Sequence, residues 1–244
     1  MEGTGRNEVM ATYVIGDIHG ELEQLKILLR KMNFGDADEL YIMGDVVDRG
    51  PHPVKALQFL MTLPNCTCIV GNHEIMALTN LKLLLKEVTD TFLAKLSKED
   101  MGQLLDWMKN GGDTTIAEFT KLSVEERKAV LDYIGEFELY KELEAGGREY
   151  LLVHAGLENF SEEKRMEEYD LHELVWMRTD YEIPYFPHKI VITGHTPTQY
   201  ILGNPRPGYI YRANNHIALD CGACSEGGRL AGICLETGEE FYAR

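Results

Sequence analysis

The sequence predicts an α/β fold, and three observations support that prediction. Short apolar runs typical of β-strands alternate with amphipathic helical segments along the chain. The first three of these runs each end in Gly-Asp or Gly-Asn, at Gly16, Gly44 and Gly71. Their spacing, 28 and then 27 residues, matches a right-handed βαβ crossover. We therefore expect the first three strands to be parallel neighbours in one sheet.

Each of these three strands is followed by a predicted helix. "ATYVIGDIHG" precedes a segment whose apolar residues share one helical face, namely Leu22, Leu25, Leu28, Leu29 and Met32. "ELYIMGDVVDRG" precedes "PVKALQFLM", in which Pro53 suits a first helical turn. "CTCIVGNHE" precedes "IMALTNLKLLLKE", so the third helix is expected to begin at Ile75. The three loops should meet at the carboxyl edge of the sheet, where α/β proteins bind ligands.

Residues 75–137 are predicted to be helical. Ser97 is expected to cap a helix that ends at Gly111-Gly112, and Ser123 with Glu126 has the pattern of a capping box. We interpret the segment as a helical insertion that caps the sheet edge, with a plain core bundle as the alternative. Its Trp107 and Met108 are expected to be core residues.

The second half of the chain returns to strands. Gly146-Gly147 and Thr237-Gly238 are expected to form hairpin turns, and "KIVITGHTP" is a strand that ends in Gly-His. The run 209–220 is interpreted as one further strand. We predict a single domain over residues 1–244, with residues 1–10 a disordered extension.

Composition restricts the classes of function. The 244 residues carry a formal charge of −16, which disfavours contact with nucleic acid, so we expect no nucleic-acid partner. No apolar run reaches the ~20 residues needed to span a bilayer, and the N-terminus lacks a signal segment, so we expect a cytoplasmic protein without a membrane partner. Five cysteines suit a reducing compartment. The Cys221-Gly-Ala-Cys224 motif is interpreted as a turn between strands, and a redox role stays open.

The chemistry-bearing residues follow the ends of predicted strands. They are Asp17, His19, Asp45, Asp48, Asn72, His73, His154 and His195. Carboxylate, amide and imidazole groups together favour Mn, Fe or Zn over Ca. One such residue alone is normally a turn, cap or structural residue, but five strand ends of this kind predict a metal centre. His52, His172, His188 and His216 have no matching partner and are interpreted as surface or structural residues.

The motifs "GDIHG", "GDVVDRG" and "GNHE", with the later "HAG" and "GHTP", resemble those of the calcineurin-like metallophosphoesterases. Within them, the sequence resembles most the serine/threonine phosphoprotein-phosphatase class of compact bacterial and bacteriophage lambda type. The resemblance covers almost the whole chain. It implies a four-layer α/β/β/α sandwich with a helical cap insertion.

The resemblance also implies a set of roles for these residues. Asp17 and His19 would hold the first of two divalent metal ions, Asp45 would bridge both, and Asn72, His154 and His195 would complete the second. Manganese is expected, with iron or zinc as alternatives. A hydroxide that bridges the metals would attack phosphorus in line.

Substrate binding and proton transfer are assigned in the same way. Arg49 and Arg178, with Asn72, would bind the substrate phosphate, although Arg178 could instead be a surface helix arginine. His73 would protonate the leaving group as general acid, and Asp48 would orient its imidazole.

The implied function is a metal-dependent phosphomonoesterase that acts on phosphoserine or phosphothreonine proteins or on small phosphoesters. The alternative is symmetrical hydrolysis of diadenosine tetraphosphate, whose enzymes typically carry alanine where Asp48 stands. A phosphodiesterase or nuclease is disfavoured because Pro197 replaces a histidine ligand. A catalytically dead scaffold of this fold is the fourth alternative, and no expected ligand is missing to support it.

Overall fold

Two five-stranded sheets form the centre of the molecule, and the computed structural model describes residues 10–85 and 97–244. The first sheet has the order β10-β9-β1-β2-β3, and its strands are β1 (Thr12–Ile15), β2 (Glu39–Ile42), β3 (Cys66–Cys68), β9 (Leu230–Cys234) and β10 (Glu240–Ala243). The second has the order β4-β5-β6-β8-β7, and its strands are β4 (Tyr140–Ala145), β5 (Arg148–Val153), β6 (Lys189–Thr193), β7 (Tyr211–Ala213) and β8 (His216–Ala218).

Helices cover the outer faces of the sheets. Numbered over the described residues, they are α1 (Leu22–Met32), α2 (Pro53–Leu60), α3 (Asn72–Leu81), α4 (Lys98–Trp107), α5 (Asp113–Phe119), α6 (Val124–Gly135) and α7 (Leu171–Val175). Short 3₁₀ turns lie at Leu83–Leu85, Met166–Glu168 and Thr198–Tyr200. Among the described residues, no helix is both long and apolar enough to cross a membrane.

Three apolar clusters bind these layers together. Val14 and Met43 of the first sheet pack with Leu152 and Ile192 of the second. The outer face of the first sheet packs against α1–α6, and that of the second packs against α7 and the chain around Tyr185. Burial of apolar side chains on both faces of both sheets is the main stabilising contribution. The four-layer sandwich predicted from the sequence is confirmed.

The parallel arrangement of the first three strands is confirmed. Thr12 lies opposite Glu39 in the β1–β2 pair, and Leu40 lies opposite Cys66 in the β2–β3 pair. The buried face of α1 consists of the five residues expected from the sequence. Pro53 is the first residue of α2.

The third helix begins earlier than predicted. It begins at Asn72 rather than Ile75, because the Glu74 carboxylate accepts a hydrogen bond from the Gly71 N–H (2.9 Å) and stabilises a helical turn there. Asn72 and His73 are therefore fixed by a helix N-terminus instead of a free loop.

The strand pairings of the second half correct one further prediction. The hairpins at Gly146-Gly147 and Thr237-Gly238 are confirmed by the antiparallel β4–β5 and β9–β10 pairs. Residues 209–220 do not form one strand, because Asn214 and Asn215 adopt φ of 49° and 61° and form the turn of the β7–β8 hairpin. Asparagine tolerates this left-handed conformation better than most residues.

Helices α4–α6 pack beside α2 and α3 on the outer face of the first sheet. Ser97 caps α4 by accepting from Asp100 N (3.0 Å), and Ser123 caps α6 by accepting from Glu126 N (3.2 Å), as predicted. Helix α4 ends at Trp107, four residues before Gly111, and continues as a wider π turn over Met108–Gly112.

Met108 is 42% exposed, so its assignment to the core was wrong, because it lies on this widened turn. The prediction of a helical insertion over residues 75–137 includes residues 86–96, which lie outside the described residues. The expected N-terminal extension also lies outside them, except for Met10. Both remain predictions, as does the single domain over residues 1–244.

Candidate metal centre

The carboxyl ends of strands from both sheets converge on one site. Asp17 and His19 follow β1, Asp45 follows β2, and Asn72 and His73 open α3 after β3. His154 follows β5 and His195 follows β6 in the second sheet. The sequence placed the first three loops at one edge, and the structure adds the two loops of the facing sheet.

Asp45 lies at the centre of the site. Its carboxylate is 3.6 Å from His19 Nε2 and 3.4 Å from His154 Nε2. Asn72 Oδ1 is 3.1 Å from His154 Nε2 and 2.9 Å from His195 Nδ1. Potential ligand atoms of Asp45, His154 and His195 lie within 4.8 Å of one another. Asp45 therefore has the position that a bridging ligand requires.

Two imidazoles are oriented by backbone carbonyls. His19 Nδ1 donates to Val47 O (2.9 Å), and His154 Nδ1 donates to Met43 O (2.7 Å). A carbonyl only accepts, so the proton is on Nδ1 and Nε2 of each ring faces the cluster. This is the tautomer that a metal-binding histidine uses.

The electrostatics of the two rings differ. Burial lowers the pKa of His19 to about 3, which keeps its ring neutral. Burial also opposes the charged form of His154, but the neighbouring Asp45 carboxylate outweighs it and raises the pKa of His154 to about 10. Asp45 thus attracts positive charge to the centre of the site.

Asp17 has a carboxylate oxygen without a hydrogen-bond partner among the described residues, which indicates a cation site. Its Oδ2 accepts from His195 N (2.8 Å), whereas Oδ1 is buried and has no hydrogen-bond partner among the described residues. Burial, with Asp220 nearby, raises the pKa of Asp17 well above its ordinary range. A buried carboxylate oxygen without a partner is costly, and a divalent cation would satisfy it. Together with Asn72 and the imidazoles, this donor set fits first-row transition metals.

His73 also lies near the ligands. Its ring atoms are within 4.8 Å of ligand atoms of His19 and Asp45, so geometry alone could count it as a ligand. However, His73 Nδ1 donates to Asp48 Oδ2 (2.7 Å), and its Nε2 accepts from Arg49 Nη2 (2.9 Å). His73 Nδ1 is thus held by a carboxylate, whereas Nδ1 of His19 is held by a backbone carbonyl, and the predicted acid role of His73 rests on that carboxylate.

The Asp48 carboxylate is completely buried and accepts three hydrogen bonds from side chains. Besides His73, Thr115 Oγ1 donates to its Oδ1 (2.6 Å) and Trp107 Nε1 donates to its Oδ2 (2.7 Å). Thr115 Oγ1 also accepts from the Asp48 backbone N–H (3.0 Å). Trp107 is buried as predicted, but its indole N–H also has a polar function that the sequence did not indicate.

The Arg49 guanidinium bridges His19 and His73. Its Nη1 donates to His19 Nε2 (2.7 Å), and its Nη2 donates to His73 Nε2 (2.9 Å). The π turn supports its backbone, since Arg49 N donates to Gly111 O (3.0 Å). The side chain is partly exposed and can therefore meet a ligand that enters from solvent.

Arg178 lies at the margin of the site. It follows α7, which ends at Val175, so it is not a helix residue as the alternative interpretation assumed. Its Nη1 donates to Thr196 Oγ1 (3.4 Å), next to His195. The structure therefore places Arg178 next to the proposed metal ligand His195, and its phosphate-binding role stays a prediction.

Five non-glycine residues of the site have left-handed backbone conformations. These are His19, Asp45, Asp48, Arg49 and His195, with φ between 43° and 70°. Such conformations cost energy and cluster at functional sites. Close packing explains two adjacent glycines: a Cβ on Gly71 or Gly194 would overlap the carboxylate of Asp45 or Asp17.

Glu74 holds the Asp45 loop in this conformation, although the sequence reasoning missed it. Its carboxylate accepts from Asp45 N and Val46 N (both 2.8 Å) and from Gly71 N (2.9 Å). Burial, followed by the Asp45 charge, raises the pKa of Glu74 to about 7. Its position at the end of the motif "GNHE" could have identified Glu74 as a residue of the site.

Asp220 was also missed. It is buried after β8, accepts from Gly222 N (2.8 Å), and its pKa is raised by burial to about 6. It follows a strand as Asp17 does, so the same strand-end signal could have found it. Thr115 lies inside a helix and carried no signal.

The histidines and cysteines set aside in the sequence have structural surroundings. His52 lies 3.1 Å from Glu118, His172 and His188 are exposed, and His216 is buried with its Nε2 donating to Ile183 O (3.0 Å). None of the four belongs to the metal-ligating groups found in the described part of the chain. Cys221 is a buried free thiol whose pKa burial raises to about 12, and a redox role is not supported by that burial.

The profile of the calcineurin-like phosphoesterases matches residues 10–218, and the chain belongs to this family. Members generally bind two divalent metal ions, and the donor set described above fits such a pair. The chain is therefore a metallophosphoesterase by family and by fold.

Curated relatives carry a more specific description. The chain is 39% identical over 105 residues to the symmetrical bis(5'-nucleosyl)-tetraphosphatase of Pseudomonas putida (strain W619), covering 41% of this chain and 36% of the relative. It is 41% identical over 104 residues to the protein of the same description from Pseudomonas fluorescens (strain SBW25), with the same coverage. The match thus spans little more than a third of these relatives' length.

Solved structures share the fold over nearly the whole chain. A candidate diadenosine tetraphosphatase has a TM-score of 0.66 at 20% identity, covering 98% of this chain and 95% of its own. A serine/threonine phosphatase from Saccharomyces cerevisiae has a TM-score of 0.58 at 16% identity, covering 98% and 82%. At these identities the likeness concerns the fold alone.

Proposed function

We propose that this protein is a binuclear-metal phosphomonoesterase that hydrolyses phosphoserine and phosphothreonine esters in proteins and also small phosphoesters. The buried pair of Asp48 and His73, 2.7 Å apart, is the observation that carries the proposal. Alkoxide leaving groups of serine and threonine are strongly basic and need a proton as the ester bond breaks. A positioned general acid contributes little when the leaving group is a nucleotide phosphate, because that group is only weakly basic.

The residues that hold the metals are proposed to be those found at the strand ends. They are Asp17, His19, Asp45, Asn72, His154 and His195. When bound, two divalent cations, proposed to be manganese, supply Lewis-acid activation of water and of the phosphate.

Arg49 links phosphate binding to the state of the acid. In the structure Arg49 Nη2 donates to His73 Nε2, so His73 Nε2 cannot hold a proton at the same time. A substrate phosphate would draw the Arg49 guanidinium into bidentate hydrogen bonds, and Arg178 would bind the same group from the margin of the site. Release of His73 Nε2 then lets it hold the proton for the leaving oxygen, and Asp48 stabilises the resulting imidazolium.

Symmetrical hydrolysis of diadenosine tetraphosphate is the second candidate. The description of the Pseudomonas relatives supports it. The His73–Asp48 pair argues for the first candidate, since that reaction expels a weakly basic phosphate group.

A substrate panel tests the proposal. The purified protein with Mn²⁺ is assayed on a phosphothreonine peptide, on p-nitrophenyl phosphate and on diadenosine tetraphosphate. His73→Asn should slow the peptide about 100-fold or more and slow the aryl phosphate much less, because nitrophenolate leaves without a proton. The matched control, His172→Asn, changes an exposed histidine and should leave both rates unchanged.

Two results would contradict the proposal. Equal slowing of both esters in His73→Asn would remove the acid role. Turnover of diadenosine tetraphosphate without turnover of the peptide would favour the second candidate.

A further inference from the structure

A cleft of about 420 Å³ opens beside Arg178. Its lining residues are 178–182, Thr196, 200–202 and Tyr211. Thr196, which follows the proposed metal ligand His195, lines the cleft and accepts from Arg178 Nη1 (3.4 Å). The cleft therefore lies beside a proposed metal ligand and a proposed phosphate-binding arginine.

One wall of the cleft exposes apolar surface. Leu202 is 92% exposed and Tyr200 is 71% exposed, more than any other large apolar side chain of the described residues. The turn that carries them is anchored next to the site, because Thr198 N donates to Asp220 O (2.8 Å). Exposed apolar side chains that line a cleft indicate a binding surface.

The lining segment of residues 178–182 carries two carboxylates and one guanidinium, that of Arg178. Asp180 and Glu182 are both exposed, and neither has a cationic side chain within 4.0 Å among the described residues. Asp180 Oδ1 accepts the backbone N–H of Glu182 (3.0 Å), which keeps the two carboxylates on one short turn. Beyond Arg178, these two carboxylates repel anions and attract cations, in a chain whose net charge is −16.

We propose that the cleft binds the residues next to the phosphorylated side chain of a protein substrate and prefers lysine or arginine there. The inference rests on the proposed function. The cationic end would meet Asp180 and Glu182, while the aliphatic stem would lie on Tyr200 and Leu202. A nucleotide polyphosphate fits this cleft less well, because its further phosphates would face the two carboxylates.

Matched peptides test the inference. Three phosphothreonine peptides differ only in the residues that flank the phosphothreonine, which are lysine, alanine or glutamate. The ratio of kcat/KM for the lysine peptide over the glutamate peptide should be about threefold to tenfold, the size expected for two exposed ion pairs. The double variant Asp180→Asn with Glu182→Gln should reduce this ratio to about one.

A matched control carries the same loss of charge elsewhere. Glu162→Gln with Glu163→Gln removes two exposed carboxylates that do not line the cleft, and it should keep the preference of the unmodified protein. The preference should also weaken at high ionic strength, since exposed charge pairs are screened.

The outcomes separate this inference from the proposed function. Hydrolysis of all three peptides at equal rates, or a preference that survives in the Asp180→Asn, Glu182→Gln variant, overturns the cleft assignment and leaves the phosphatase proposal intact. Turnover of diadenosine tetraphosphate with no turnover of any peptide overturns both. A lysine preference that the double variant abolishes and the control retains supports the inference.

Discussion

The indole Nε1 of Trp107 donates a 2.7 Å hydrogen bond to Oδ2 of Asp48, across 59 residues of sequence. The same carboxylate oxygen accepts from His73 Nδ1 (2.7 Å). Trp107 thus contributes to the position and the charge of the group that orients the proposed acid. Its fused ring also forms the wall against which Gly112 packs, since a Cβ on that glycine would be 2.5 Å from the indole.

Trp107→Phe tests this contact. Phenylalanine keeps most of the apolar volume but removes the N–H, so Asp48 retains only His73 and Thr115 as side-chain donors. We expect kcat on a phosphothreonine peptide to fall about tenfold, because a charged hydrogen bond of this kind contributes about 1.5–3 kcal/mol. The aryl phosphate, measured in parallel, should be affected much less.

The exposed Trp176→Phe is the matched control and should change neither rate. If Trp107→Phe slowed both substrates alike, the indole would act only through folding. Thermal denaturation of both variants distinguishes that case.

Asp17→Asn and His154→Ala test the proposed metal ligands. Each removes one donor from the site, and we expect metal content and activity to fall together. The content of Mn, measured by inductively coupled plasma mass spectrometry, should fall from about two ions per chain. Activity on p-nitrophenyl phosphate should fall by about 100-fold or more, since even changes to residues behind metal ligands cost about 10–100-fold.

Histidine at an exposed position provides the control for this experiment. His172→Ala removes an imidazole whose side chain is 73% exposed, and metal content should stay at the level of the unmodified protein. Retention of both ions and of full activity in Asp17→Asn would show that its unpartnered Oδ1 has another purpose.

The extent to which the sequence allows prediction differs between the fold and the site. The first three strands were predictable because apolar runs and Gly-Asp or Gly-Asn motifs recur at a crossover spacing, which is local information. Asp17, Asp45 and His154 were identifiable because each follows the end of a predicted strand, whatever the details of packing.

Contacts that depend on how helices and strands pack in three dimensions could not be predicted from these local patterns. Trp107 reaches Asp48 only because α4 packs beside α3 and then widens into the π turn. Asp220 becomes part of the site only because β8 lies beside β6, an order that sequence spacing does not give. The early start of α3 depends on the Glu74 carboxylate, which a helix-period pattern does not include.

Gly111→Ala tests the support that the π turn gives Arg49. Gly111 has φ of 100°, and an added Cβ would be 2.7 Å from Arg49 Cγ. We expect the Arg49 side chain to be displaced, so that KM for p-nitrophenyl phosphate rises and kcat/KM falls about tenfold, the effect of weakening one charged hydrogen bond.

Gly147→Ala is the control that distinguishes the steric collision at Gly111 from the strain of a positive φ. Gly147 also has positive φ, 72°, but an added Cβ there would have no neighbour within 4 Å. Both variants should lose stability, about 1–3 kcal/mol each in chemical denaturation, and only Gly111→Ala should change KM. An equal change of KM in both would contradict the proposed support of Arg49.

His216 is a source of pH-dependent stability outside the metal centre. It is buried beside Tyr185, with ring centroids 4.7 Å apart, and its Nδ1 has no hydrogen-bond partner among the described residues. Burial lowers its pKa from the ordinary 6.5, although Asp180 acts in the opposite direction. The folded protein therefore keeps this ring neutral at pH values where the unfolded chain protonates it.

His216→Gln should reduce the dependence of stability on pH in the acidic range. Because the pKa is lowered by folding, the stability contributed by the neutral ring is complete above pH 6.5 and is lost as pH falls below that value. We expect the free energy of unfolding in urea, measured at intervals between about pH 5 and pH 8, to fall less steeply below 6.5 in the variant than in the unmodified protein. His188→Gln changes an exposed ring and should retain the full slope. An identical slope in His216→Gln and the unmodified protein would show that His216 is protonated equally in the folded and unfolded states.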